Sequence, residues 1–186
     1  IAQRILAARS GVTVQAMRSG TSDRRDWDQM TEMVAASAGW QLFIDDTPAV
    51  TVAYVRAKAR RIQRARGLGL VVVDYLGLMR GIGDNRAQEV GSISRGLKAL
   101  AKELKVPVIA LAQLNRASEG RPNRQPTLAD LRDSGEIEQD ADIVAMLHRE
   151  DMHRTAPEWE GLAQLLIRKN RNGPTGECLL ALDGPR

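Results

Sequence analysis

Leu70-Val71-Val72-Val73-Asp74-Tyr75-Leu76-Gly77-Leu78-Met79 is the stretch whose reading decides the fold. Four aliphatic residues run straight into one carboxylate, with Gly69 before the run and Gly77 after the acid. A continuous apolar run bounded by turn residues reads as a strand buried on both faces. Val71, Val72 and Val73 are β-branched, which favours strand over helix. A buried parallel strand places Asp74 at its carboxyl edge. In open α/β sheets that edge is where ligands bind.

This is the pattern of a Walker B strand, whose Asp holds the Mg²⁺ of a nucleotide, usually through water. A core strand that ends in a turn Asp fits the run equally well, so the surrounding chain has to decide.

Working back from the strand, Gly67 and Gly69 close a helix that starts at the cap Thr51 and runs to Arg66. Arg56, Lys58, Arg60, Arg61, Arg64 and Arg66 crowd it, as a solvated face or a nucleic-acid contact. Gln41-Leu42-Phe43-Ile44 reads as a strand stopped by Asp45-Asp46-Thr47-Pro48. Ser22 is the expected cap of a helix over 23–37, with acids Asp23 and Asp26 in its first turn. Trp27, Met30, Met33 and Val34 form its core stripe. Ile1, Ile5 and Ala8 have helical spacing, closed by Gly11. Residues 13–17 suggest one more helical turn.

Working forward, residues 80–85 form a loop holding Gly81 and Gly83. Asn85 followed by Gln88 resembles a capping box and opens a helix to Leu104, with Ile93, Leu97, Leu100 and Leu104 on one stripe. Pro107-Val108-Ile109-Ala110-Leu111-Ala112 is a second buried strand, and it places Gln113 at the same edge as Asp74. Residues 115–130 read as a long polar loop carrying Arg116, Arg121 and Arg124, expected to be mobile without a partner. Ser134 is the expected cap of a short helix to Gln139. Ile143-Val144-Ala145-Met146-Leu147 is a further strand, and residues 150–160 read as polar and exposed. Residues 162–167 and 178–182 form a hairpin around Asn172-Gly173-Pro174-Thr175-Gly176. Helices alternating with strands imply βαβ units, a mainly parallel sheet and right-handed crossovers.

With 186 residues the chain suits one domain with a real core. Aromatic residues are only 3%, which argues against a base-stacking platform. The net charge of +4 permits a polyanionic partner without requiring one. Cys178 is the only cysteine, so disulfide scaffolds and zinc sites are excluded and a reducing, cytoplasmic compartment is expected. No apolar run approaches the ~20 residues needed to span a bilayer, so no membrane association is expected. The chain opens at Ile1 rather than Met, apparently inside a helix, which suggests a fragment or processed piece.

Four segments now stand in order: DYLGLM at 74–79, VPVIALAQLNR at 106–116, LRDSGEIEQDADIV at 131–144 and KNRNGPTG at 169–176. Together they resemble the C-terminal motor domain of DnaB-type replicative DNA helicases, over residues 1–183. The resemblance implies an α/β, RecA-like P-loop NTPase core: a mainly parallel sheet flanked by helices, with a C-terminal antiparallel hairpin. It implies a homo-hexameric ring that hydrolyses ATP with Mg²⁺ at subunit interfaces and threads single-stranded DNA, with primase and a helicase loader as partners. Asp74 matches the Walker B Asp, holding Mg²⁺ through water. Gln113 matches the γ-phosphate sensor. Lys169 and Arg171 match a basic pair that reaches into the neighbouring subunit's site, with Arg171 as the arginine finger. Charge on the γ-phosphoryl oxygens must be stabilised from the open side of the pocket. On the residues alone, a solvated hairpin end would be the simpler reading of that pair. Arg132, Asp133 and Gly135 match the segment that holds the DNA backbone. Arg116 and the loop at 80–86, with Arg86, make a weaker DNA-facing element. Such contacts ignore base identity.

The departures also matter. No G-x-x-x-x-G-K-[ST] exists in the sequence, and its backbone nest and lysine are what cradle the β- and γ-phosphates. The family's catalytic Glu lies upstream of the point matching Ile1. The first strand, the P-loop, its helix, the following strand and the N-terminal collar are therefore missing, and these 186 residues alone are expected to hydrolyse ATP poorly. Gly77 stands where the family often has Gln. Two other readings remain: a RecA-like ATPase of recombination or clock type, and a non-catalytic truncated helicase homologue or DNA-binding fragment.

Overall fold

A computed structural model of the protein describes residues 1–115, 125–131, 135–150 and 159–182. In chain order the elements are α1 (Ala2–Ser10), α2 (Val14–Ser19), α3 (Arg24–Ser37), α4 (Val52–Arg66), β1 (Val71–Val73), α5 (Arg86–Leu104), β2 (Val108–Ala110), α6 (Gly135–Asp140), β3 (Ile143–His148), β4 (Leu162–Asn170) and β5 (Gly176–Ala181). Short 3₁₀ turns cover Leu76–Leu78 and Leu128–Asp130.

Side chains that satisfy free N–H groups start the helices. Thr51 Oγ1 accepts from the Tyr54 N–H at 3.3 Å, and Asn85 Oδ1 accepts from the Gln88 N–H at 3.0 Å. Gln88 Oε1 in turn accepts from the Asp84 N–H at 2.7 Å, one residue outside the expected box. The cap of α3 is Asp23 rather than Ser22. Its carboxylate accepts from the Asp26 N–H at 2.8 Å and Asp26 returns the bond, a reciprocal pairing that Ser22 does not have.

β1 and β2 pair in parallel, with Val71 opposite Val108 and Val73 opposite Ala110. The main core packs Val71, Val73 and Val108 against Ala59 of α4 and Ile93, Leu97, Leu100 and Leu104 of α5. The opposite face is open: Val72 is 57% and Ile109 49% exposed. The expectation of burial on both faces is therefore corrected, because both packed helices lie on one side of the strands. Residues 41–44 form no strand. A strand needs a partner for its ladder bonds, and no described strand runs beside them. Leu42, Phe43 and Ile44 are exposed. In α3 only Met30 of the expected stripe is fully buried, whereas Trp27 and Val34 are exposed.

β3, β4 and β5 form an antiparallel sheet in that order. The expected hairpin is present, and β3 joins it instead of extending the parallel pair. Along β3, Val144 and Met146 turn inward onto Leu131 and Leu166, while Ile143 and Leu147 face out. The end of the expected 115–130 loop is anchored. Thr127 and Asp130 box the 3₁₀ turn, Asp130 is 1% exposed, and Leu114 bridges Leu131. Residues 116–124 and the expected cap Ser134 lie outside the described residues, as do residues 151–158. Glu150 is half-buried rather than exposed, 2.8 Å from His148 Nε2.

Candidate functional site

Asp74 and Gln113 stand just beyond the carboxyl ends of β1 and β2. Pairing continues past the strands: the Leu111 N–H donates to Val73 O and the Leu76 N–H to Leu111 O, both at 2.9 Å. The two side chains thus share one edge, exposed, in an open cleft of about 370 Å³ completed by Tyr75, Leu111 and Ala112. A Cβ on Gly77 would meet Tyr75 Cε2 at 2.2 Å, so the Tyr75 ring occupies the space that a longer residue there would need.

The donor set is one carboxylate and one amide. Among the described residues no group of three or more His, Cys, Asp or Glu side chains is placed to hold a metal. A hydrated Mg²⁺ suits Asp74, because this ion keeps several waters and takes one or two carboxylates plus phosphate oxygens. The residues present fit the metal and γ-phosphate end of a nucleoside triphosphate. They do not supply the cradle for its other phosphates.

Lys169 and Arg171 do not stand free. Lys169 Nζ donates to the Glu138 carbonyl and, at 3.4 Å, to that of Gln139. Arg171 donates through Nη2 to Gln139 O at 2.8 Å and through Nη1 to Asp142 Oδ1 at 3.2 Å. Its main-chain N–H donates to Asp142 O at 2.8 Å. Both cations therefore cap the carboxyl end of α6, whose last carbonyls lack helical partners and carry partial negative charge. α6 is itself tied to α5 by the ion pair Arg95–Glu136, and the residues just after it by Lys98–Asp142. The Lys98 ammonium, bonded to Asp142, holds that carboxyl below its ordinary value.

Arg86, expected to face DNA, turns inward along its own helix. Nη2 donates to Gly77 O at 2.9 Å and Leu76 O at 3.4 Å, and Nη1 to Glu89 Oε2 at 2.8 Å and Met79 O at 3.5 Å. It clasps the turn that follows Asp74. Gly81 and Gly83 of the intervening loop lie so close to α5 that a Cβ would meet Glu89 O at 2.3 Å and Gln88 Cβ at 2.5 Å.

Gly135 opens α6, is exposed, and among the described residues nothing lies within 4 Å of where its Cβ would stand. Arg132, Asp133 and Arg116 lie outside the described residues. On the basic helix α4, three of the six cations are paired: Arg56 and Arg60 with Glu103, and Lys58 with Asp45. The Lys58 bond and those from Thr47 hold the Asp45 carboxyl well below the carboxylate range.

Sequence reasoning missed Asp142 as a partner of Arg171. It lies inside the quoted 131–144 segment, yet nothing in a single sequence links two residues 29 positions apart. It also missed Tyr75 and the Leu111 main chain, whose roles follow from strand pairing alone.

The family described as "DnaB-like helicase C terminal domain" matches residues 1–185. The chain is 45% identical over 184 residues to the replicative DNA helicase DnaB of Geobacillus stearothermophilus, covering 97% of this chain and 40% of that protein. It is 47% identical over 186 residues to that of Leifsonia xyli subsp. xyli, covering 99% and 41%. Among solved structures, "The Structure Of A DnaB-Like Replicative Helicase And Its Interactions With Primase" aligns with a TM-score of 0.91 at 33% identity, over 98% of this chain and 46% of that one. A second solved structure, described as an ATPase domain, aligns with a TM-score of 0.90 at 34% identity, over 96% and 65%. The chain spans about 40% of the length of the curated relatives it matches. With these matches, and with a parallel strand pair, packed helices and a C-terminal antiparallel sheet in its own fold, the chain belongs to the DnaB-like helicase C-terminal domain family.

Proposed function

We propose that this chain is part of the motor of a ring-forming, cytoplasmic replicative DNA helicase that hydrolyses ATP and unwinds duplexes by moving along single-stranded DNA. The observation that carries the reading is the shared edge: Asp74 and Gln113, from adjacent parallel strands, line one cleft. Mg²⁺, where bound with the nucleotide, would supply neutralisation of phosphate charge. Asp74 would hold that ion's water shell, and the Gln113 amide would bond the γ-phosphate and report its presence along β2. Lys169 and Arg171, at the end of β4, would meet the γ-phosphate held by a neighbouring copy in a hexamer. Arg132, Asp133 and Gly135 would hold the DNA backbone, with Arg116 beside them. Primase, with which one structural neighbour is described as interacting, and a helicase loader are the expected partners.

The test is Asp74→Asn in the full-length protein. It keeps the side chain's size and removes the charge, so DNA-stimulated hydrolysis should vanish while melting temperature and ring assembly stay unchanged. Wild-type turnover at ordinary Mg²⁺ would end the assignment.

A further inference from the structure

We infer that Asp142 is a positioning residue for Arg171, and that its carboxylate and carbonyl, with the Gln139 carbonyl in the last turn of α6, form a seat that sets the direction of the guanidinium. The inference rests on the reading of Arg171 as the residue that acts on a neighbour's nucleotide.

Three bonds converge on Arg171 from one short stretch: main-chain N–H to Asp142 O at 2.8 Å, Nη1 to Asp142 Oδ1 at 3.2 Å, and Nη2 to Gln139 O at 2.8 Å. The first fixes where the residue leaves β4, and the other two fix both ends of the planar fork. The side chains of Arg171 and Asp142 are 47% and 51% exposed, so an ion pair between them contributes little to stability. What the bonds provide is direction. A flexible cation at the end of a strand would sample many rotamers, and a group misplaced by ~1 Å can lose ~10²-fold in rate. Lys98 of α5 bonds the other carboxylate oxygen, Oδ2, and leaves Oδ1 to Arg171. Lys169, two residues earlier, is held by the Glu138 and Gln139 carbonyls, so both cations share the seat.

The experiment measures DNA-stimulated ATP hydrolysis by full-length rings carrying Asp142→Asn, Asp142→Glu, Lys98→Gln or Arg171→Ala, with melting curves and sizing as controls. Asp142→Asn should lower kcat by roughly 10- to 100-fold with KM for ATP nearly unchanged, because geometry rather than ground-state binding is lost. In mixed rings the loss should fall on the neighbour's site. Asp142→Glu, which retains the charge one methylene further out, should recover part of the rate. It carries the test if Asp142→Asn does not assemble: reduced kcat at unchanged KM supports the seat, and wild-type kcat overturns it. Lys98→Gln leaves all three Arg171 bonds in place and should retain near-wild-type kcat. If Arg171→Ala turns over normally, the reading of Arg171 itself fails. If Arg171→Ala is inactive but Asp142→Asn matches or exceeds wild type, or Lys98→Gln reproduces its loss, the seat is overturned while Arg171 keeps its role.

Discussion

The Glu136 carboxylate of α6 occupies the space that a side chain at Gly91 of α5 would take: a Cβ there would lie 1.5 Å from Glu136 Oε2. From this position Glu136 pairs with Arg95, one turn further along α5. The missing methyl at Gly91 leaves room for that carboxylate.

Gly91→Ala should therefore stabilise the protein by less than the ~1 kcal/mol by which Ala is favoured over Gly in a helix. The new methyl must push the half-exposed carboxylate aside and break its pair with Arg95, an exposed pair that contributes at most ~1 kcal/mol, so the net change should lie near zero. In a Glu136→Ala background the obstacle is gone and the same substitution should show its full stabilisation. Urea unfolding of the four variants reads the difference. Equal stabilisation in both backgrounds would mean that the close approach carries no weight.

Arg132→Ala should weaken single-stranded DNA binding about equally for all sequences, because a bond to phosphate reads no base. The log–log salt slope should fall by roughly 0.7 for each phosphate no longer neutralised. An unchanged slope with a lower melting temperature would leave Arg132 as a structural residue.

Arg86→Gln should do the reverse. Its guanidinium is already engaged by three carbonyls and Glu89. Losing these half-exposed, charge-assisted bonds should cost on the order of 1 kcal/mol, with the salt slope unchanged. A reduced slope at unchanged stability would return Arg86 to the DNA surface.

The tie between α5 and the residues just after α6 should weaken in acid. Lys98 keeps Asp142 ionised in the folded protein below the ordinary value of 3.8. A carboxyl with a depressed folded value stabilises the fold above its unfolded value and loses that contribution as pH falls through the folded one. The stability difference between wild type and Asp142→Asn should thus be largest above about pH 4 and shrink below it. A difference that grows on acidification would contradict the Lys98 pairing.

The two central strands, the helix over 86–104 and the edge shared by Asp74 and Gln113 were legible because each rests on local patterning: β-branched runs, a repeating Leu/Ile stripe and a capping Asn. The features misread were those that depend on what lies alongside. Val72 and Ile109 carry the same apolar signal as Val71 and Val108, and only the placement of α4 and α5 on one side separates exposed from buried. Leu42, Phe43 and Ile44 have strand character without a partner to pair with. The bonds of Lys169 and Arg171 to the 138–142 stretch depend on how β3 and β4 pair, which no local pattern records.

The open face of β1 and β2 has a consequence for the protein's behaviour in solution. Val72, Ile109 and Leu111 form an apolar surface on a sheet of only two described strands, whose outer edges have no described partner. Unpaired edges beside an oily face invite another chain to add itself, so self-association of these 186 residues should rise steeply with concentration. Val72→Lys would put a charge in the middle of that face and raise the solubility limit.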